Sequence, residues 1–70
     1  MTNVELLSKE VERSGVTITF LSSVMKCSRN RVYAILKGAE CTASEIVKLS
    51  SALHLTEEVR DKIFLGKEVN

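Results

Sequence analysis

The sequence contains no proline and no long run of apolar residues. A membrane-spanning helix needs about 20 consecutive apolar residues, so no span is predicted. The N-terminal stretch MTNVELLSKEVERS is amphipathic and carries acidic residues, which is not typical of a secretory signal peptide. We therefore expect a cytoplasmic protein that has no membrane partner.

Cysteine and histidine are also scarce. Cys27 and Cys41 lie fourteen positions apart, and the single histidine, His54, follows thirteen positions later. Zinc sites usually contain closely spaced pairs such as C-x₂-C, which are missing here. A disulfide is not expected in a cytosolic chain. The two cysteines are therefore predicted to be small core or turn residues, and neither a metal nor another cofactor is predicted.

The sequence contains few of the residues and motifs that are typical of an enzyme active site. Its three glycines form no loop that could cradle a phosphate group. A single histidine, without a glycine-rich nucleophile turn or a paired carboxylate pattern, does not make an active site. His54 is expected to be a partly buried capping residue or a surface residue. We therefore predict no enzymatic activity and no small-molecule substrate.

What the sequence does contain is typical of a small globular protein. Hydrophobic residues make up 44% and charged residues 27% of the 70 positions. This length fits a single domain over residues 1–70, with a flexible tail predicted over residues 66–70. Because so short a chain builds only a small core, it depends on well-packed helices or on a partner chain.

The charges are unevenly distributed although the net charge is only +1. Residues 13–39 include five cations and no acidic residue. Those cations are Arg13, Lys26, Arg29, Arg31 and Lys37. A solvated helix face usually mixes both signs. An acid-free segment of this length therefore indicates an anionic partner.

Capping residues and apolar spacing predict five short helices and no strand. Each helix begins after a Ser or Thr that can cap it. The predicted caps are Thr2 (in a capping box with Glu5), Thr17, Ser28, Thr42 (in a capping box with Glu45) and Thr56. Gly15 and Gly38 are predicted to end the first and third helices. The predicted inward residues are Val4, Leu7, Val11, Ile18, Leu21, Ser22, Met25, Val32, Ile35, Leu36, Ile46, Leu49, Leu53, Val59 and Ile63.

The segment GVTITFLSSVMKCSRNRVYAILKG reads as helix, short turn and helix. It resembles, without gaps, the helix-turn-helix of the phage repressor and Cro class, also called the XRE or lambda repressor-like family. The residues that carry this resemblance are Gly15, Val16, Thr17, Ser22, Met25, Cys27 and Ser28. The segment TASEIVKLSSALHLTEE is similar to the later helices of the family. The resemblance covers residues 4–65 and implies a compact, all-α, five-helix DNA-binding domain.

The resemblance implies that helix three, at about residues 28–37, enters the major groove of operator DNA. Arg29, Asn30 and Ala34 occupy the base-reading positions of the family. Arg can pair with guanine, Asn with adenine, and Ala34 can meet a thymine methyl group. Lys26, Ser28, Arg31, Tyr33 and Lys37 are predicted to contact the DNA backbone. For Tyr33, packing over Lys37 is an equally open alternative.

Two positions differ from the family pattern. Ile18 stands where the family commonly has a Gln that touches a phosphate, so one DNA contact is lost. Lys26 stands where the turn usually has Gly. This exchange adds a cation, and it costs little if the backbone there avoids a left-handed angle.

Several apolar residues do not fit a single inward stripe. Phe20 and Val24 lie beside the core stripe of helix two. One alternative is that helix one or the tail covers them. The other is that they form an exposed patch that binds a protein. The same alternatives apply to Ile63, Phe64, Leu65 and Val69 near the C-terminus. With Ile18, these residues form a candidate protein interface. Two functions follow: an operator-binding regulator that acts as a homodimer, or an antirepressor that binds a second phage repressor.

Overall fold

The computed structural model describes residues 2–66 of the chain. Within this range the protein is a compact bundle of helices and contains no strand, which confirms the predicted all-α class. The helices are α1 Val4–Ser14, α2 Ile18–Met25, α3 Arg29–Leu36, α4 Ala43–Ala52 and α5 Glu57–Phe64. None of these helices is both long enough and apolar enough to cross a membrane.

Side-chain caps fix where four of the helices begin, as the sequence predicts. The side chains of Thr17, Ser28, Thr42 and Thr56 each accept a hydrogen bond from the backbone N–H three positions later. At α4 the capping box is complete, because the Glu45 carboxylate also accepts a bond from the Thr42 N–H at 2.9 Å. These bonds satisfy N–H groups that have no partner inside the helix.

The predicted cap of the first helix, Thr2, is wrong. Asn3 caps α1 instead, and its Oδ1 atom accepts a hydrogen bond from the Leu6 N–H at 3.1 Å. The Asn3 N–H donates to the Ile63 carbonyl oxygen at 2.7 Å, which draws the segment before α1 against α5. Thr2 is consequently buried, with 9% exposure, and cannot serve as a solvent-facing cap.

The five helices pack in a closed ring, in the order α2, α3, α1, α5, α4 and back to α2. Each helix therefore contacts two others and turns one apolar face towards the centre. The buried core consists of Leu7, Leu21, Met25, Val32, Ile35, Leu49, Leu53, Ile63 and Phe64. All five helices contribute to this core, so the cluster holds the whole ring together.

Each of the five helices is followed within two residues by a residue with a left-handed backbone. The φ angles are 72° at Gly15, 55° at Lys26, 107° at Gly38, 53° at His54 and 65° at Gly66. At α2 the Cys27 N–H donates to the Ser22 carbonyl and the Lys26 N–H to the Ser23 carbonyl. This paired closure is the Schellman motif, and it requires the left-handed residue.

The condition under which lysine would cost little at this position is not met, because Lys26 has a left-handed φ angle of 55°. A side chain with a Cβ atom is strained in this region by about 1–2 kcal/mol, whereas glycine is not. The helix end at α2 forces the angle, because both Schellman hydrogen bonds depend on it. The protein therefore tolerates local strain at the turn between α2 and α3.

The structure corrects the predicted interface near the C-terminus. Ile63 is completely buried and Phe64 is 6% exposed, so both belong to the core and not to an interface. The contacts of α5 with α1 and α4 enclose these two side chains. Leu65 does remain exposed. Val69 and the predicted tail after Gly66 lie outside the described residues.

The alternatives for the apolar residues of α2 are settled for the described helices alone. Phe20 is 46% exposed and Val24 37% exposed, so within residues 2–66 α1 does not bury them, and the alternative of cover by the tail lies outside the described residues. Ile18 is half-buried and packs against the core. Of the predicted interface residues that the structure describes, Phe20, Val24 and Leu65 are large exposed apolar side chains.

The strain at Lys26 leads to a stability prediction. Lys26→Gly relieves the left-handed angle, and we expect the free energy of unfolding to increase by about 1 kcal/mol. Urea denaturation followed by circular dichroism measures this change. Ser23→Gly is the matched control, because it places glycine inside the same helix and is expected to destabilise by about 0.5–1 kcal/mol. A loss of stability in both variants contradicts the assigned strain.

Candidate nucleic-acid interface

Helix α3 has one face in the core and one face towards solvent. Val32 and Ile35 are each 1% exposed, and their burial fixes the rotation of the helix about its axis. This rotation leaves four predicted contact residues exposed on the outside: Arg29, Asn30, Tyr33 and Lys37. Ala34 is half-buried, so it offers a smaller surface than its neighbours. The predicted base-reading residues thus lie on α3, and the predicted backbone contacts lie on the same helix or directly beside its two ends.

The first turn of α3 is held firmly in place. Only three residues, 26–28, separate α2 from α3. The Ser28 Oγ atom accepts a hydrogen bond from the Arg31 N–H at 3.0 Å and so caps the helix. Its hydroxyl hydrogen stays available to donate to an external oxygen, because a serine hydroxyl both donates and accepts. Arg29 and Asn30 follow directly on this capped turn.

Several cations around α3 are not engaged by acidic side chains. Within residues 2–66, ion pairs involve Arg13, Arg31, Arg60 and Lys62. Lys26, Arg29 and Lys37 form no ion pair with another described residue, and neither α2 nor α3 carries an acidic residue. The exposed side of the turn and of α3 is therefore positively charged without local compensation, which suits an anionic ligand.

Arg31 differs from the other predicted backbone contacts. Its Nε and Nη2 atoms donate to the two carboxylate oxygens of Glu45, both at 2.8 Å, in a bidentate ion pair. Nη2 also donates to the Glu40 carbonyl oxygen at 2.8 Å. A phosphate contact through Nε or Nη2 of Arg31 therefore requires that this ion pair first opens. In the free protein, Arg31 joins the first turn of α3 to the start of α4.

Glu45 is held by partners on two sides. The hydrogen bond from the Arg31 guanidinium, helped by the Thr42 backbone N–H, lowers the pKa of Glu45 from 4.5 to about 2, although partial burial opposes this. The same carboxylate therefore completes the α4 capping box and binds the α3 side chain. Glu45 was predicted only as a capping residue, since nothing local in the sequence indicates its pairing with Arg31.

Lys48 on α4 is a cation that the sequence did not single out. Its Nζ atom lies 3.4 Å from the Met25 carbonyl oxygen, at the C-terminal end of α2. A positive charge there interacts favourably with the helix dipole. It also adds a cation beside the turn between α2 and α3. Only the packing of α2 against α4 reveals this placement.

The cysteines do not form a reactive or metal-binding centre in the described structure. Cys27 and Cys41 are both free and half-buried. Burial raises the pKa of the Cys41 thiol, and the Thr2 side chain hydrogen-bonds to it. Among residues 2–66 no three metal-ligating side chains come together. Both cysteines act as small packing residues against the core.

No family model, no curated protein and no solved structure matches this chain. The resemblance to the phage repressor and Cro class therefore depends on the residues of the segment GVTITFLSSVMKCSRNRVYAILKG and of the helices after it. Any functional conclusion has to come from the chemistry of the surface formed by α3 and the preceding turn.

The low pKa of Glu45 predicts a pH dependence of stability. Because the pKa in the folded state lies below that in the unfolded state, the ion pair stabilises the fold fully above about pH 4.5. This contribution is lost as the pH falls through about 2. Glu45→Gln is expected to lower the free energy of unfolding at pH 7 by about 1 kcal/mol, since solvent screens a partly exposed pair. The substitution should also make the free energy of unfolding fall less steeply as the pH is lowered, which is the acid limb of the stability profile.

Urea denaturation between pH 2 and pH 7 measures this effect. Glu12→Gln is the control, because Glu12 is an exposed carboxylate on α1. This control is expected to keep the acid limb of the wild-type protein. If Glu45→Gln leaves the limb as steep as in the wild-type protein, Glu45 is not the carboxylate responsible.

Proposed function

We propose that this protein binds double-stranded operator DNA as a transcriptional regulator of the phage repressor and Cro type. In this proposal α2, the turn 26–28 and α3 form a helix-turn-helix, and α3 lies in the major groove. The observation that carries the proposal is the exposed face of α3 and its turn, which bears three uncompensated cations and Asn30. The spacing of α2 and α3 by three residues supports it.

The chemistry of each exposed residue suggests its role. Arg29 and Asn30 lie on the first turn of α3, where a recognition helix meets base edges. Lys26 and Lys37 are proposed to bind phosphates at either end of the helix, together with Ser28 and Tyr33. Ala34 remains the proposed contact to a thymine methyl group, through its partly exposed side chain.

Operator recognition of this type commonly uses two copies of the protein. Two bound copies present their recognition helices about 34 Å apart, one turn of DNA, and read a near-palindrome. Ile63 and Phe64 cannot form the interface between the copies, because they are buried in the core. Among the described residues of that region, Leu65, with 54% exposure, is the large apolar residue that can.

Two substitutions separate base reading from phosphate binding. Arg29→Ala is expected to weaken binding to the native operator by about 1–3 kcal/mol and binding to random DNA much less. Lys37→Ala is expected to weaken both about equally and to reduce the salt slope of log K by about 0.9. Fluorescence anisotropy with DNA from the regulatory region beside the coding sequence, with random DNA as the reference, measures both at two salt concentrations.

The Lys37 variant is also the control for the Arg29 variant, because each removes one cation from α3. If Arg29→Ala reduces the affinity for operator and for random DNA equally, Arg29 does not read bases. Equal binding of the wild-type protein to operator and random DNA contradicts the proposed function itself.

A second function is favoured by the exposed apolar side chains of α2. Phe20 and Val24 lie one helical turn apart, and both keep more than a third of their surface exposed. An antirepressor that binds a second phage repressor would bury such a patch in the complex. The two functions are compatible, since the proposed DNA contacts lie on the turn and on α3.

The patch is tested by Phe20→Asp in a pull-down with the repressor encoded beside this protein. The variant is expected to lose the complex while it keeps its helical circular dichroism spectrum, because Phe20 lies outside the core. Thr19→Asp, at a neighbouring exposed position, is the control and should retain the complex. Retention of the complex by both variants excludes this surface.

A further inference from the structure

We propose that Glu45 weakens DNA binding and its salt dependence without touching DNA, by restraining Arg31 in the free protein. The inference rests on the proposed function, since it concerns how α3 uses its cations. Arg31 is the third residue of α3 and shares its first turn with Arg29 and Asn30. A cation at this place can reach DNA phosphates whatever the base sequence is.

The geometry of the ion pair explains how the restraint acts. The planar guanidinium of Arg31 matches the Glu45 carboxylate with two parallel hydrogen bonds, and the Glu40 carbonyl accepts a third. Bidentate pairs of this kind are stronger and more directional than single contacts. Glu45 itself is fixed, because it completes the capping box at Thr42. The restraint therefore connects Arg31 to a rigid helix end.

The surroundings show why Arg31 is special among the α3 cations. Arg29 and Lys37 form no ion pair with any described residue, and Glu45 is the acidic side chain that α4 brings to α3. A released Arg31 adds one phosphate contact to every complex, specific or not. Such a contact raises the affinity for operator and random DNA alike and steepens the salt dependence of both. In the wild-type protein Glu45 holds Arg31 and so prevents this phosphate contact.

The test is a double-mutant cycle of Glu45→Gln and Arg31→Ala, with DNA affinities measured at 50 and 200 mM salt. In Glu45→Gln we expect tighter binding to random DNA and a salt slope steeper by about 0.9. The ratio of the affinities at the two salt concentrations then increases by roughly 3.5-fold. The preference for the operator should stay the same, because the added contact strengthens binding to both DNAs equally. In the Arg31→Ala background, Glu45→Gln is expected to change none of these quantities.

Glu57→Gln is the matched control for charge, since it gives the same net charge of +2 by removing one acidic residue from the original +1. The Glu57 side chain lies on α5 and is 84% exposed. This variant is expected to keep the salt slope of the wild-type protein. Circular dichroism at the assay temperature establishes that all variants are folded.

Three outcomes overturn the role of Glu45. The first is an unchanged salt slope in Glu45→Gln, and the second is a change of slope that persists when Arg31 is replaced. The third is an equal loss of affinity on both DNAs at constant slope, which indicates a purely structural role. A wild-type protein without operator preference contradicts the proposed function instead, and the cycle on random DNA still decides the role of Glu45.

Discussion

The five helices depend on a single shared group of apolar side chains, because none of them is long enough to be stable alone. They contain between eight and 11 residues, and isolated helices shorter than about 12–15 residues are marginal in water. Leu7, Leu21, Leu53 and Ile63 are fully buried and come from four segments of the chain. Each helix is therefore stabilised by packing against its neighbours. The buried side chains of α3 determine which of its residues are exposed.

Much of this architecture can be predicted from local chemistry. The caps at Thr17, Ser28, Thr42 and Thr56 depend only on residues within one turn, so the sequence is sufficient to place four helix starts. The exposed positions of α3 follow from the spacing of Val32 and Ile35, which leaves the cations outside. Candidate contact residues could therefore be chosen before the arrangement of the helices was known.

The features that could not be predicted depend on contacts between distant segments. Phe64 looks like a surplus apolar residue on a short helix until the packing of α5 on α1 and α4 buries it, whereas Ile63 already fits the predicted inward stripe. Arg31 resembles any other cation of its helix, and only the approach of α4 brings Glu45 within 2.8 Å. Asn3 competes with Thr2 as a cap, and the bond to the Ile63 carbonyl decides the outcome. These three contacts cannot be predicted from the spacing of residues along the sequence.

The hydrogen bond between Asn3 and Ile63 also constrains the order in which the protein folds. It joins positions 60 residues apart, whereas α2, α3 and α4 meet through short connections. Closing a long loop costs more entropy than closing a short one. During synthesis the central helices can associate first, and the ring stays open until α5 has left the ribosome. The apolar face of α1 can pack against α5 only then, so a helix synthesised late completes the surroundings of one synthesised early.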